Sequence, residues 1–155
     1  MTYYMGIDPG AKGGMALLNE TKLIDVVCFN RVSSYDLAKK VGDWSLCFDP
    51  VCYLELVHSM PQQGVASTFT FGKNYGIIIG MLISFNLPYR DVTPSVWQPK
   101  VGFKKPIGNN KNAHKKGLKE LAQRMFGNFP LTPGEWTEAA DAILIAEYAR
   151  KINQK

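Results

Sequence analysis

Three short β-prone runs open this chain with almost nothing between them, and that limits the fold more than any other feature. Residues 2–8, 13–18 and 22–29 are rich in Tyr, Ile, Leu, Val and Phe. Pro9-Gly10 and Asn19-Glu20-Thr21 fill the gaps, and both are turn-forming. Connections this short reverse the chain as hairpins, so the runs form an antiparallel meander. The pattern then changes. Ser33-Ser34 starts a short helix to about Val41, and residues 51–57 (VCYLELV) read as a buried parallel strand. A loop over 58–66 leads to a long helix at 67–85 and a last short strand at 89–92. Thr93-Pro94 begins a helical turn through Trp97, residues 101–110 form a loop, and 112–126 form an amphipathic helix ended by Gly127. Thr132 at the N-cap and Pro133 at N1 open a final helix to about residue 152. The order predicts an α/β fold. A mixed five-stranded sheet, a meander plus two parallel strands, is flanked by helices. The 155 residues suit a single domain over 1–155.

Four acids stand where an apolar setting should refuse them. Asp8 ends MGIDPG, Glu55 lies in CYLELV, and Glu138 and Asp141 lie in TEAADAILIA. A buried carboxylate is costly unless it is paired or binds a cation. Asp8 and Glu55 share a cleft if their strands are parallel neighbours. Glu138 and Asp141, three apart near a helix start, share a face. Together they predict a divalent-metal pocket, since converging carboxylates repel until a cation neutralises them. Phosphodiester hydrolysis needs an activated water, in-line attack and a stabilised leaving oxygen, which two Mg²⁺ ions roughly 3.5–4 Å apart supply.

The chain as a whole is nonetheless basic, with a net charge of +5. Residues 100–119 hold seven lysines (Lys100, Lys104, Lys105, Lys111, Lys115, Lys116 and Lys119) and no acid. Such a stretch favours contact with a phosphate backbone. His58 and His114 lack metal-ligand spacing, and Asn109, Asn110 and Asn112 suit a loop as readily as a phosphate contact. Gly72, Gly76 and Gly80 align on one face of the long helix, fitting either its own sheet or a subunit interface. Three cysteines without a CxxC pair signal neither a disulfide framework nor zinc and are simplest in a reducing cytoplasm. No signal peptide or membrane span is expected.

Met5-Gly6-Ile7-Asp8-Pro9-Gly10, the Glu55 strand and the Glu138-Ala-Ala-Asp141-Ala run resemble the RuvC family of Holliday-junction resolvases. The stretch from Ser59 to Gly76 looks especially like phage-borne members, and Thr93-Pro94-Ser95-Val96-Trp97-Gln98 resembles the family's TP motif. The similarity covers nearly the whole chain. It implies an RNase H-like fold, a homodimer and paired nicking of four-way DNA junctions. It also implies Mg²⁺, with Mn²⁺ as a substitute, at two ions per active site. The family's acids map onto Asp8, Glu55, Glu138 and Asp141, although the family's usual residue at position 138 is Asp or His. One family lysine falls near Lys115 or Lys116. The other falls at about Gln98, which carries no charge, so Lys100 or Lys104 would have to replace it. A dimer suits a two-fold junction, with the Gly72, Gly76, Gly80 helix as candidate interface. Met60, at the tip of the 58–66 loop, could wedge between bases.

Three other readings share parts of this pattern. Another RNase H-like nuclease, acting on RNA or on branched DNA generally, would carry the same acids. A non-catalytic junction-binding protein would not need all of them. Actin-like ATPases and sugar kinases open with a similar GIDxG loop but need a second lobe, for which 155 residues are too few.

Overall fold

The structure is a computed structural model that describes residues 1–58 and 64–154. The meander forms as its turn chemistry requires: β1 (Tyr4–Asp8), β2 (Gly14–Leu18) and β3 (Leu23–Cys28) pair antiparallel. Asn19 closes the second turn, its Oδ1 accepting from the backbone N–H of Thr21 at 2.9 Å and of Lys22 at 2.8 Å. β4 (Val51–Glu55) then lies parallel to β1, and β5 (Tyr89–Val92) lies parallel to β4. The sheet order is β3-β2-β1-β4-β5, the mixed five-stranded arrangement expected from the sequence.

Strand alternation separates two cores. Met5, Ile7, Met15, Leu17, Cys52 and Leu54 face one side. There α1 (Ser34–Phe48) brings Leu37, Val41 and Trp44, and α2 (Val65–Ser84) brings Ile78 and Leu82. Tyr4, Ala16, Leu18 and Tyr53 face the other side, beneath α3 (Pro94–Lys100), α4 (Lys111–Phe126) and α5 (Pro133–Asn153). α5 is the central helix of that layer, with every residue from Ala142 to Ala149 buried. Its start is the expected one: Thr132 and Glu135 form a capping box, with Pro133 in the first turn.

Several boundaries differ from the sequence reading. α1 does not stop near Val41 but runs to Phe48. Gly42 does not break it, because the ring of Phe85 packs where a side chain at that position would stand, and Trp44 continues the buried face. α3 passes Trp97 and ends at Lys100, with Pro99 inside it. Gly72, Gly76 and Gly80 are exposed, and among the described residues a Cβ added at any of them would meet nothing within 4 Å beyond its own stretch of helix. They do not fit α2 to its own sheet, since Ile78 and Leu82 do that on another face. Among the described residues, no helix is long and apolar enough to cross a membrane.

Candidate active site

Asp8 ends β1 and Glu55 ends β4. Parallel register sets Ile7 beside Leu54, so the two acids emerge next to each other at the carboxyl ends of adjacent strands. Both follow the alternation of Tyr4, Gly6 and Tyr53, which face the α5 layer. Gly6 decides how close that layer comes. A side chain there would overlap the carbonyl oxygen of Ala142 and the backbone nitrogen of Ala146. The helix therefore rests directly on the β1 backbone, and Asp141, the neighbour of Ala142, comes into electrostatic reach of Asp8 and Glu55.

Each acid is held individually. The backbone N–H of Gly10 donates to Asp8 Oδ1 at 3.0 Å. Gly13 lies against the same carboxylate, where a Cβ would stand 2.7 Å from its Cγ. The indole N–H of Trp97 donates to Glu55 Oε1 at 3.0 Å. Burial dominates the electrostatics and raises all three carboxyls above their ordinary range. Glu55 is pushed up to about 8, first by burial, then by the charges of Asp8 and Asp141, against the pull of the Trp97 hydrogen bond. Asp141 is pushed up to about 7 by burial and by Asp8, with Lys115 opposing. For Asp8 the opposing effects are the Gly10 N–H and Lys115.

These three groups fit a hard divalent cation in donor type and in charge. All are oxygen ligands, and their mutual repulsion is what such an ion relieves. They lie within electrostatic reach of one another, although among the described residues no three His, Cys, Asp or Glu side chains stand close enough to form a ready-made ligand cluster.

Glu138 points elsewhere. Arg31 donates to it from Nε to Oε2 at 2.7 Å and from Nη2 to Oε1 at 3.3 Å, and Asn30 Nδ2 donates to Oε1 at 3.0 Å. These bonds hold its carboxyl below the usual range. Its charge is not among those acting on Asp8, Glu55 or Asp141. The structure thus brings together three of the four acids that the sequence singles out and sets the fourth one helical turn away.

The lysines also divide. Lys115 is the one whose charge acts on Asp8 and Asp141. Lys116 sits 3.8 Å from Glu120 on the exposed side of α4. Lys119 is occupied within the fold, donating to the Pro133 carbonyl and to Thr137 Oγ1, each at 2.9 Å. Lys100, Lys104, Lys105 and Lys111 are exposed. Lys105, Lys111 and Lys115 line a cavity of about 380 Å³ with Asn109, Asn110 and His114. Asn110 caps α4, its side chain accepting from the N–H of Asn112 and Ala113. Phe103 is buried in the core, its ring edge-on to that of His114. Gln98, near which the sequence resemblance leads to the expectation of a second lysine, is buried with Nε2 3.2 Å from His114 Nε2. Met60 lies outside the described residues. The sequence reading did not single out Gly6 for the helix approach, Trp97 as a donor to Glu55, or Asn30 and Arg31 as partners of Glu138. None of these carries a motif that announces the role.

The fold and the acidic rim together define an α/β protein of RNase H-like architecture. Its sheet and helices match solved structures of RuvC. Thermus thermophilus RuvC in complex with a Holliday junction substrate has a TM-score of 0.62 at 15% identity, over 96% of this chain and 92% of that one. A second Thermus thermophilus RuvC structure has a TM-score of 0.60 at 18% identity, over 95% of this chain and 92% of that one. The sequence matches no protein-family model and no curated protein.

Proposed function

We propose that this protein is a metal-dependent endonuclease that resolves four-way DNA junctions by paired, symmetric cleavage of phosphodiester bonds. The observation that carries the reading is the convergence of Asp8, Glu55 and Asp141 from β1, β4 and α5, with Lys115 acting on two of them. Bound Mg²⁺ or Mn²⁺ would activate water and neutralise charge on the phosphate. Asp8 and Asp141 would hold the ion, with Glu55 as the third ligand kept in place by Trp97. Lys115 balances part of the acidic charge and can meet a phosphate oxygen brought to the rim. Lys100, Lys104, Lys105 and Lys111 supply backbone contact without sequence information.

A second copy of the chain completes the proposal, because two symmetric cuts need two sites at a fixed separation. The exposed side of α2 supports this. Val65, Phe69 and Ile83 are 88%, 74% and 68% exposed, on the helix whose three aligned glycines have open space above them.

The test is cleavage of a synthetic four-way junction in Mg²⁺, beside matched duplex, flap and RNA substrates, for wild type and Asp8→Asn. Symmetric nicks by the wild type, lost in the variant while junction binding persists, are expected. Equal cutting by the variant removes Asp8 from the site. Preference for RNA or simple duplex overturns the junction reading.

A further inference from the structure

We infer that Arg31 is a phosphate-contacting residue that controls the fourth acid: DNA backbone drawn to its guanidinium releases Glu138 to join Asp141 at the metal-binding rim. The inference rests on the nuclease reading above and adds a residue and a step to it.

Glu138 and Asp141 are three residues apart on α5 and so project from one side of the helix. A glutamate has side-chain reach enough to turn along that side. Here it turns away, because Arg31 and Asn30 make three hydrogen bonds to its two oxygens. The clamp crosses the fold, tying the chain just after β3 to the first turns of α5, 107 residues on. Arg31 also lies over the helix start, with Nη2 2.8 Å from where a Cβ on Gly134 would be. The Glu138 side chain is 16% exposed and that of Arg31 is 45% exposed, so the cation is open to solvent while its partner is largely covered. Arginine recognises phosphate with the same two-pronged geometry that it offers a carboxylate. A phosphate at Arg31 therefore competes directly with Glu138. The acid set stays incomplete without DNA and is completed by the substrate backbone.

The test uses the full chain as wild type, Arg31→Ala, Glu138→Gln and the double variant. Mn²⁺ is titrated by calorimetry without DNA, and thermal melts report folding. Holding a ligand in a non-binding arrangement lowers apparent affinity by the fraction released, so Arg31→Ala should tighten Mn²⁺ binding about tenfold. Glu138→Gln should cancel that gain in the double variant. In parallel, Arg31→Ala should reduce the salt dependence of junction binding by about one phosphate contact. Unchanged or weaker Mn²⁺ binding in Arg31→Ala overturns the inference, as does a gain that survives Glu138→Gln. An unchanged salt slope removes the phosphate contact. Absence of Mn²⁺ binding in all four proteins defeats the metal reading itself and this inference with it, whereas wild-type binding without a gain defeats this inference alone.

Discussion

Trp97 donates its indole N–H to Glu55 Oε1 at 3.0 Å, and both residues are buried. The bond opposes the burial that pushes the Glu55 carboxyl up to about 8. The charges of Asp8 and Asp141 act on the same carboxyl in the other direction. Trp97→Phe keeps most of the ring volume and removes the donor. Glu55 should then titrate above its wild-type value, read by carbon-detected NMR of the side-chain carboxyl. The lost hydrogen bond to a buried group should cost about 1–3 kcal/mol in denaturant unfolding. An unchanged Glu55 titration would show that the bond does not tune the acid.

The three raised carboxyls give stability a definite pH dependence. Glu55 moves from 4.5 to about 8 and Asp141 from 3.8 to about 7, with Asp8 raised as well. A raised acid binds more protons folded than unfolded. Its contribution is therefore complete below the unfolded value and is lost as pH rises through the folded one. In chelator, these groups should lower the melting temperature progressively between about pH 4 and pH 8. Excess Mg²⁺ should oppose that trend, because the ion binds the deprotonated forms and stabilises the folded state by mass action. Melts across this range, with and without Mg²⁺, provide the check. Parallel curves would mean that no ion binds these acids.

Gly6 is the position where packing and site geometry meet. Its missing side chain lets the α5 backbone rest on β1 and carries Asp141 to the rim. Gly6→Ala places a methyl group against backbone atoms that cannot rotate away. It should destabilise the fold by about 3 kcal/mol. It should also weaken the coupling between Asp8 and Asp141, seen as a lower Asp141 titration by NMR. Wild-type stability in urea would show that α5 moves aside at no cost.

How much of this site the sequence disclosed depends on whether local pattern or distant packing decides each residue. Glu55 and Asp141 were legible because an ionisable side chain inside an apolar strand or helix has few structural reasons to be there. That Asp8 and Glu55 share a cleft was legible only on the condition that β1 and β4 are parallel neighbours, which the sheet supplies. The direction of Glu138 was not legible, since Arg31 acts on it from 107 residues away and any helix-start glutamate looks the same in sequence. The same limit applies to Lys119, which belongs to a run of lysines by composition but to the start of α5 by contact. The α2 glycines share a face however the helix is rolled. Ile78 and Leu82, by burying themselves on the sheet, set that roll.

Lys115 and Lys116 are adjacent in sequence and opposite in role. Lys115 lowers the proton affinity of Asp8 and Asp141, whereas Lys116 pairs with Glu120 at 3.8 Å on an exposed surface. Lys115→Met should raise the titration of both aspartates and slow single-turnover junction cleavage by about 10²–10³-fold, as expected for loss of one aimed charge. Lys116→Met should leave both titrations in place and change stability by less than about 0.5 kcal/mol. Equal effects of the two substitutions would mean that the lysines act only through bulk charge.

The α2 glycines offer a test of self-association whose sign is fixed in advance. Glycine inside a helix costs roughly 1 kcal/mol relative to alanine, and among the described residues a Cβ at Gly76 meets nothing within 4 Å beyond its own stretch of helix. In an isolated chain, Gly76→Ala should therefore stabilise α2 by about 1 kcal/mol. If a second copy packs its backbone against this face, the added methyl group occupies the contact and association weakens instead. The two effects separate with protein concentration. At low concentration the variant should melt above the wild type. At high concentration the wild type should gain melting temperature and sediment as a dimer, while the variant stays behind. A variant more stable at every concentration, with unchanged sedimentation, would remove α2 as the interface.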